Sequence, residues 1–240
     1  MRYKAVFFDR DNTLAHGDPA VAARRNALFL EWTGKPYAWD DYDQLTADFK
    51  ESGYPNEFFL AHRDDEAACV RAERAFLRRY YALRLRRAGL TEGVAEKADE
   101  LHEITWLKKL IPYPETIRTL EWFRARGYRM GIISDTSPSL RLTIEAAGLA
   151  RYFDSYTCAD IVGAMKPEPV IYRTALASLG VAPEESLYVD DYVVESDGAR
   201  KLGMTAFHIL REGLDPGYEG EREWDIHSLY EIVEFAERNG

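Results

Sequence analysis

Two rhythms of apolar positions divide the chain. Ala5-Val6-Phe7-Phe8 is an unbroken apolar run closed by Asp9. That is the pattern of a parallel strand covered on both faces, not of a half-exposed one. Over 19–109 such runs vanish and apolar residues recur at helical spacing. Ala23, Ala27 and Leu30, with Leu28 and Trp32 beside them, predict one helix; Tyr42, Leu45 and Phe49 predict a second. Phe58 and Phe59 open a third segment. Val70, Phe76, Leu77, Tyr80, Leu83 and Leu85 form a long fourth that stops at Gly89, and 92–107 supplies a fifth. Asp18 before Pro19 is a capped helix start. The aromatics Trp32, Trp39 and Tyr54 read as core of this helical segment.

The prolines of Leu110-Ile111-Pro112-Tyr113-Pro114 predict a stiff, extended linker. Beyond it the chain repeats helix, glycine, apolar strand. Helices over 115–126, 138–147, 169–179 and 196–202 each stop at a glycine (Gly127, Gly148, Gly180, Gly203). The strands that follow are 130–133, 153–158, 187–189 and 205–209, and 226–238 closes the chain as a helix. This alternation predicts an α/β fold, a Rossmann-like doubly wound parallel sheet with right-handed crossovers. The core comprises 1–14 and 112–240; an all-helical domain, 15–111, is inserted after the first strand. Ala15-His16-Gly17-Asp18-Pro19 reads as a turn-rich linker into it.

Bulk properties narrow the partners. A net charge of −10 over 240 residues argues against nucleic acid as a partner, though not against an anionic substrate. The basic stretch with Arg71, Arg74, Arg78, Arg79, Arg84, Arg86 and Arg87 reads as a solvated helix face. Cys69 and Cys158 have no disulfide or zinc spacing and fit a reducing cytoplasm. No apolar run approaches the roughly 18 residues of a membrane span. Asp9 interrupts the place where a signal peptide would be apolar. The expectation is a cytoplasmic monomer or homodimer without membrane contact.

The ends of the predicted strands carry the chemistry. The first ends in Asp9-Arg10-Asp11-Asn12-Thr13. Residues two apart in an extended segment point the same way, so Asp9 and Asp11 address one site or one hard cation. A strand followed by an ordinary Asp/Asn turn explains this pair equally well when it is taken alone. The 130–133 strand ends in Ser134-Asp135-Thr136-Ser137, where a hydroxyl and the amides that follow open toward an anion. Lys166 stands before Pro167 in a loop leading to a proline-started helix. The 187–189 strand ends in Asp190-Asp191, with Glu195 close behind. Consecutive acids at a buried strand end repel unless a cation compensates. A parallel sheet gathers such ends in one crevice. Acids around Mg²⁺ with a lysine and a hydroxyl suit a phosphoryl group.

In this order the four strand ends resemble the haloacid dehalogenase-like hydrolase superfamily, in the branch with a helical cap after the first strand. Asp9-Arg10-Asp11-Asn12-Thr13 resembles its first motif, Ser134 its second, Lys166-Pro167 its third, and Asp190-Asp191 with Glu195 and Gly198-Ala199 its fourth. The resemblance implies that Asp9 is the nucleophile of an aspartyl-phosphate and Asp11 the general acid and then base. It implies that Ser134, Asp135 and Lys166 bind phosphate. Mg²⁺ sits on Asp9, the Asp11 carbonyl and Asp191, while Thr13, Asp190 and Glu195 support the site. The chain departs from the family at Asp190, where Gly is frequent; at Glu195, where Asp is usual; and at Asn12, which replaces a frequent Gly.

The implied activity is Mg²⁺-dependent hydrolysis of a small phosphorylated metabolite, with the cap closing to exclude water and choose the substrate. Candidate cap contacts are His16, Arg24, Arg25, His62 and Arg63, with ordinary surface charge as the competing reading. The dehalogenases of the family lack the second acid, so Asp11 favours phosphate esters over carbon–halogen bonds. A phosphomutase uses the same residues. A non-enzymatic phosphoaspartate receiver has its acids and lysine in another order, and no place for the helical insert.

Overall fold

The computed structural model describes residues 2–37, 42–107, 110–211, 218, 220 and 222–240. Trp39 lies outside the described residues. The chain begins with β1 (Ala5–Phe8) and β2 (Ala15–Gly17). Five helices follow: α1 (Pro19–Thr33), α2 (Tyr42–Glu51), α3 (Asn56–Ala61), α4 (Glu66–Arg87) and α5 (Val94–Thr105). Next come β3 (Leu110–Pro112), α6 (Thr116–Ala125), β4 (Arg129–Ser134), α7 (Leu140–Ala146), β5 (Ser155–Cys158), α8 (Ala159–Val162) and α9 (Pro169–Leu179). The chain ends with β6 (Ser186–Asp190), α10 (Val193–Lys201), β7 (Thr205–Ile209), β8 (Asp225–Ile226) and α11 (Leu229–Asn239). Two compact units separate: Met1–His16 with Leu110–Gly240, and Gly17–Lys109.

The first unit is a six-stranded sheet in the order β5-β4-β1-β6-β7-β8, every described pairing parallel. β1 lies between β4 and β6, where the strand order reverses, and that is where such sheets place ligands. Successive residues of β1 serve opposite faces. Val6 and Phe8 join one core with Phe123, Met130, Ile132, Leu187 and Leu229. Ala5 and Phe7 join the other with Ile133, Ile171, Tyr172, Tyr188 and Ala206. The unbroken apolar run thus reflects a strand buried on both sides. Phe7 sits opposite Gly131 in the register. A Cβ at Gly131 would lie 2.6 Å from the Phe7 ring, so glycine there is a packing requirement.

Four expectations need correction. The two linkers are short strands: β2 and β3 form a two-stranded sheet, and the Tyr113 amide donates to the Leu14 carbonyl at 3.1 Å. Three-residue strands are too short to show a period. At the C-terminus, 226–238 is not one helix. β8 comes first, and α11 starts behind a capping box in which Ser228 and Glu231 satisfy each other's amides. On α1 the buried residue is Phe29; Ala23 and Ala27 are exposed, and Leu30 is 50% exposed. Within the basic stretch, Arg84 is buried rather than solvated.

The second unit is helical, and its core is Phe29, Tyr37, Phe76, Tyr80, Tyr81, Leu85, Ala98 and Leu101. Trp32, Leu45, Phe49 and Tyr54 pack against it. The Phe49 ring lies 5.1 Å from Phe76 and 4.9 Å from Tyr80, within the range of favourable aromatic pairs. Asp18 caps α1 by accepting from the Ala20 amide at 2.8 Å, with Pro19 in the first turn. Asp48, 1% exposed, is held by Arg84 at 3.1 Å and by Arg87, and accepts from Gln44 at 2.8 Å. No helix among the described residues is long and apolar enough to cross a membrane.

Candidate active site

β1 delivers Asp9 to the carboxyl edge of the sheet. The Asp9 amide donates to the Val189 carbonyl at 2.9 Å, so the ladder with β6 fixes its backbone one residue beyond the strand. The chain then turns. The Leu14 and Ala15 amides return to the Arg10 carbonyl at 3.2 and 3.1 Å, and Asn12 takes a left-handed φ of 56°. Asn is among the residues that best accept that conformation, which explains why it can stand here without glycine. The turn also corrects the extended picture of this segment: Asp11 does not continue the strand beside Asp9, and its Oδ2 accepts from the Arg10 guanidinium at 2.6 Å.

Lys166 is the centre of the buried charges. Its Nζ donates to Asp9 Oδ1 at 2.9 Å and Asp190 Oδ2 at 2.8 Å, and lies 2.6 Å from Glu195 Oε2. Its own amide donates to Asp135 Oδ1 at 3.0 Å. The Asp135 side chain therefore anchors the lysine segment. Helix α10 crosses this segment closely: a Cβ at Gly198 would lie 2.6 Å from Pro167 Cβ. Tyr172 Oη donates to the Glu195 carbonyl at 2.7 Å and fixes the start of that helix. Ser134 ends β4 and is 2% exposed.

Asp190 and Asp191 face different tasks. Asp190 is fully buried, and both its oxygens are engaged: Oδ2 by Lys166 and the Tyr188 hydroxyl, Oδ1 by the Tyr192 amide at 2.9 Å. Asp191 Oδ2 accepts from Asn12 Nδ2 at 3.1 Å, and its carbonyl lies 3.1 Å from His208 Nε2, with Asp225 3.1 Å behind at Nδ1. Arg211 supports the turn from below. It donates to the carbonyls of Asn12 at 3.2 Å and Thr13 at 2.9 Å, pairs with Glu115 at 2.8 Å, and lies 3.6 Å from the Tyr113 ring centre. The Thr13 hydroxyl is buried with no hydrogen-bond partner among the described residues. Arg211 and His208 carry no sequence signal; only the fold brings them here.

The electrostatics show one cation facing an excess of acids. Burial pushes the Asp9 carboxyl up to about 7 despite Lys166, with Asp190, Asp11 and Asp191 adding to the rise. Burial and Asp190 push Glu195 up to about 8 and Asp191 to about 6. Burial works against the charge on Lys166, but Asp190 and Asp9 outweigh it and hold the ammonium well above its ordinary range. Among the described residues no three Asp, Glu, His or Cys side chains converge as a ready cage for a metal. A hard cation that keeps several of its waters needs only one or two carboxylates and a carbonyl. The excess of ionisable oxygens fits such a cation, since it would offset the repulsion among Asp9, Asp190 and Asp191.

Of the other predicted contacts, His16 lies against Tyr113 with ring centres 5.3 Å apart. Within the helical unit, Arg25 covers the Tyr37 ring at 4.3 Å and His62 stacks on Phe58 at 4.0 Å. Arg63 donates to the Leu60 carbonyl at 3.1 Å, and Arg24 is exposed.

Comparison with known proteins gives a consistent picture. Residues 3–203 match the family model described as haloacid dehalogenase-like hydrolase. A glyceraldehyde 3-phosphate phosphatase of Pyrococcus furiosus is 29% identical over 99% of this chain and 94% of its own length. (S)-2-haloacid dehalogenase 4A of Burkholderia cepacia is 34% identical, over 55% of this chain and 58% of its own. Among solved structures, a HAD phosphatase from Thermococcus onnurineus superimposes with a TM-score of 0.62 at 29% identity, covering 97% of both chains.

Proposed function

The chain belongs to the haloacid dehalogenase-like hydrolase family, and we propose that it is a Mg²⁺-dependent phosphatase acting on a small phosphorylated metabolite. The observation that carries this reading is a buried Asp9 held by Lys166 at 2.9 Å, with a second acid, Asp11, two residues on. Asp9 attacks the phosphorus atom, and the bond from phosphorus to the ester oxygen breaks as the aspartyl-phosphate forms. Asp11 gives its proton to the departing oxygen, then takes one from the water that attacks the phosphorus atom and frees Asp9. Lys166 and Ser134 bind the phosphoryl oxygens, and Lys166 offsets the approach of a carboxylate to an anion. Asp9, the Asp11 carbonyl and Asp191 would hold Mg²⁺, which when bound supplies positive charge to the phosphoryl oxygens. Asp190, with both oxygens taken, positions Lys166 rather than joining that set. Substrate choice is assigned to the helical segment.

A dehalogenase reading is favoured by the 34% identity to dehalogenase 4A. Asp11 weighs against it, because an ester oxygen leaving as an alkoxide needs a proton and a halide does not. The test is phosphate release from a panel of sugar and triose phosphates with and without Mg²⁺, beside halide release from 2-chloropropionate. Glyceraldehyde 3-phosphate heads the panel because of the Pyrococcus furiosus relative. Phosphate release that needs Mg²⁺ is expected; halide release without phosphate release would overturn the reading.

A further inference from the structure

Arg10 stands between the two candidate catalytic acids, and its side chain is buried to 1% exposure. A buried guanidinium is costly unless its donors are paired; Nε has no partner among the described residues, and the two terminal nitrogens carry the pairing. Nη2 donates to Asp11 Oδ2 at 2.6 Å and to the Thr136 hydroxyl at 3.1 Å, and Nη1 donates to the Thr143 hydroxyl at 3.0 Å. The Thr143 hydroxyl spends its own proton on the Leu140 carbonyl at 2.7 Å, so it meets Arg10 purely as an acceptor. The Asp11 side chain, by contrast, is 39% exposed. An exposed carboxylate ordinarily swings among rotamers, and a surface ion pair holds it only weakly. Here the cation is locked in the interior by two threonines, one on the loop after β4 and one on α7. The partially exposed acid is therefore tethered to a fixed fork.

We propose that Arg10 is a positioning residue for Asp11, setting the acid's place relative to the ester oxygen that leaves. This rests on the acid role proposed for Asp11. A guanidinium offers only donors in a fixed planar fork, so its contribution is placement. Through Thr136 the same side chain ties Asp11 to the loop that follows Ser134 at the end of β4.

The test exploits leaving-group chemistry. A p-nitrophenolate leaves with little help, whereas an alkoxide needs its proton. kcat/KM, which reports steps through departure of the leaving group, is measured for p-nitrophenyl phosphate and for the best alkyl phosphate of the panel. The proteins are the parent, Arg10→Met, Arg10→Lys, Thr143→Val and Asp11→Asn, each checked for folding by circular dichroism. General acid catalysis is worth about 10² to 10⁴, so Arg10→Met is expected to lose about 100-fold on the alkyl ester and less than about 5-fold on the aryl ester. Arg10→Lys should recover part of that loss. Thr143→Val, which loosens the fork without touching Asp11, should lose about 3- to 10-fold, again on the alkyl ester alone. It carries the test if Arg10→Met does not fold. Losses equal on both esters in the Arg10 and Thr143 variants, beside a selective loss in Asp11→Asn, would overturn the placement role. An equal loss in Asp11→Asn itself would overturn the acid role, and the placement role with it.

Discussion

Each unit of this protein buries carboxylates, and the two treat them differently. In the helical unit Asp48 is 1% exposed and meets Arg84, Arg87 and an amide from Gln44, with Arg87 shared with Glu51, so the buried acid is matched. In the α/β unit Asp9, Asp190 and Glu195 share one ammonium, and Asp191 adds a fourth acid nearby. Matched buried charge is a structural device. Unmatched buried charge costs stability and points to something the site is built to receive. The contrast separates carboxylates that hold structure, Asp48 and in the α/β unit Glu115 with Arg211, from those gathered around Lys166.

The largest expected effect lies on the unmatched side. Asp9→Asn should abolish phosphate release, a loss of about 10⁴-fold or more, with the circular dichroism spectrum unchanged. Next comes a test of the matched side. Asp48→Ala leaves Arg84 buried without its acid and should cost about 3–5 kcal/mol by urea denaturation, the scale for breaking a buried pair. A cost under about 1 kcal/mol, the scale of an exposed pair, would show that Asp48 is not the structural ion pair described here.

The pH dependence sharpens the same contrast. Asp9 and Glu195 have folded values raised to about 7 and about 8 from ordinary values of 3.8 and 4.5. Between those limits the folded state holds protons that the unfolded state has released. Stability from these groups is therefore fully present below about 4 and is lost as pH rises through 7 to 8. Without Mg²⁺ the Tm should fall from pH 5 to pH 8, and Mg²⁺ should flatten the slope by favouring ionised Asp9. The smallest effect is that of Glu195→Gln, which removes the higher of the two titrations and should shallow the metal-free slope above pH 7. An unchanged slope there would place the proton elsewhere.

How much of this was legible in the sequence follows from range. Strands closed by acids, and helices closed by glycine, are local patterns. They placed Asp9, Ser134, Asp190 and Asp191 at strand ends and Lys166 in the loop before a proline-started helix, and they set the class of the sheet. The contacts that organise those residues are not local. Asn12 reaches Asp191, Arg211 reaches the Asn12 and Thr13 carbonyls, and Asp135 reaches the Lys166 amide. Each joins segments whose spacing along the chain carries no period. β2, β3 and β8 are two or three residues long, too short to show alternation. Arg84 reads as solvated because it stands in an arginine-rich stretch, and its acid partner lies 36 residues away. The start of α11 is the opposite case, because its signal is local: Ser228-Leu229-Tyr230-Glu231 spells a capping box that separates the helix from β8.

The central claim is that Asp9 becomes phosphorylated during turnover. The most direct measurement is peptide mass spectrometry after acid quench of the protein turning over its best phosphate ester with Mg²⁺. The expected result is one phosphoryl group on the peptide containing Asp9, lost on treatment with hydroxylamine and missing in Asp9→Asn. A phosphoryl group on another residue, or sustained turnover by Asp9→Asn, would contradict it.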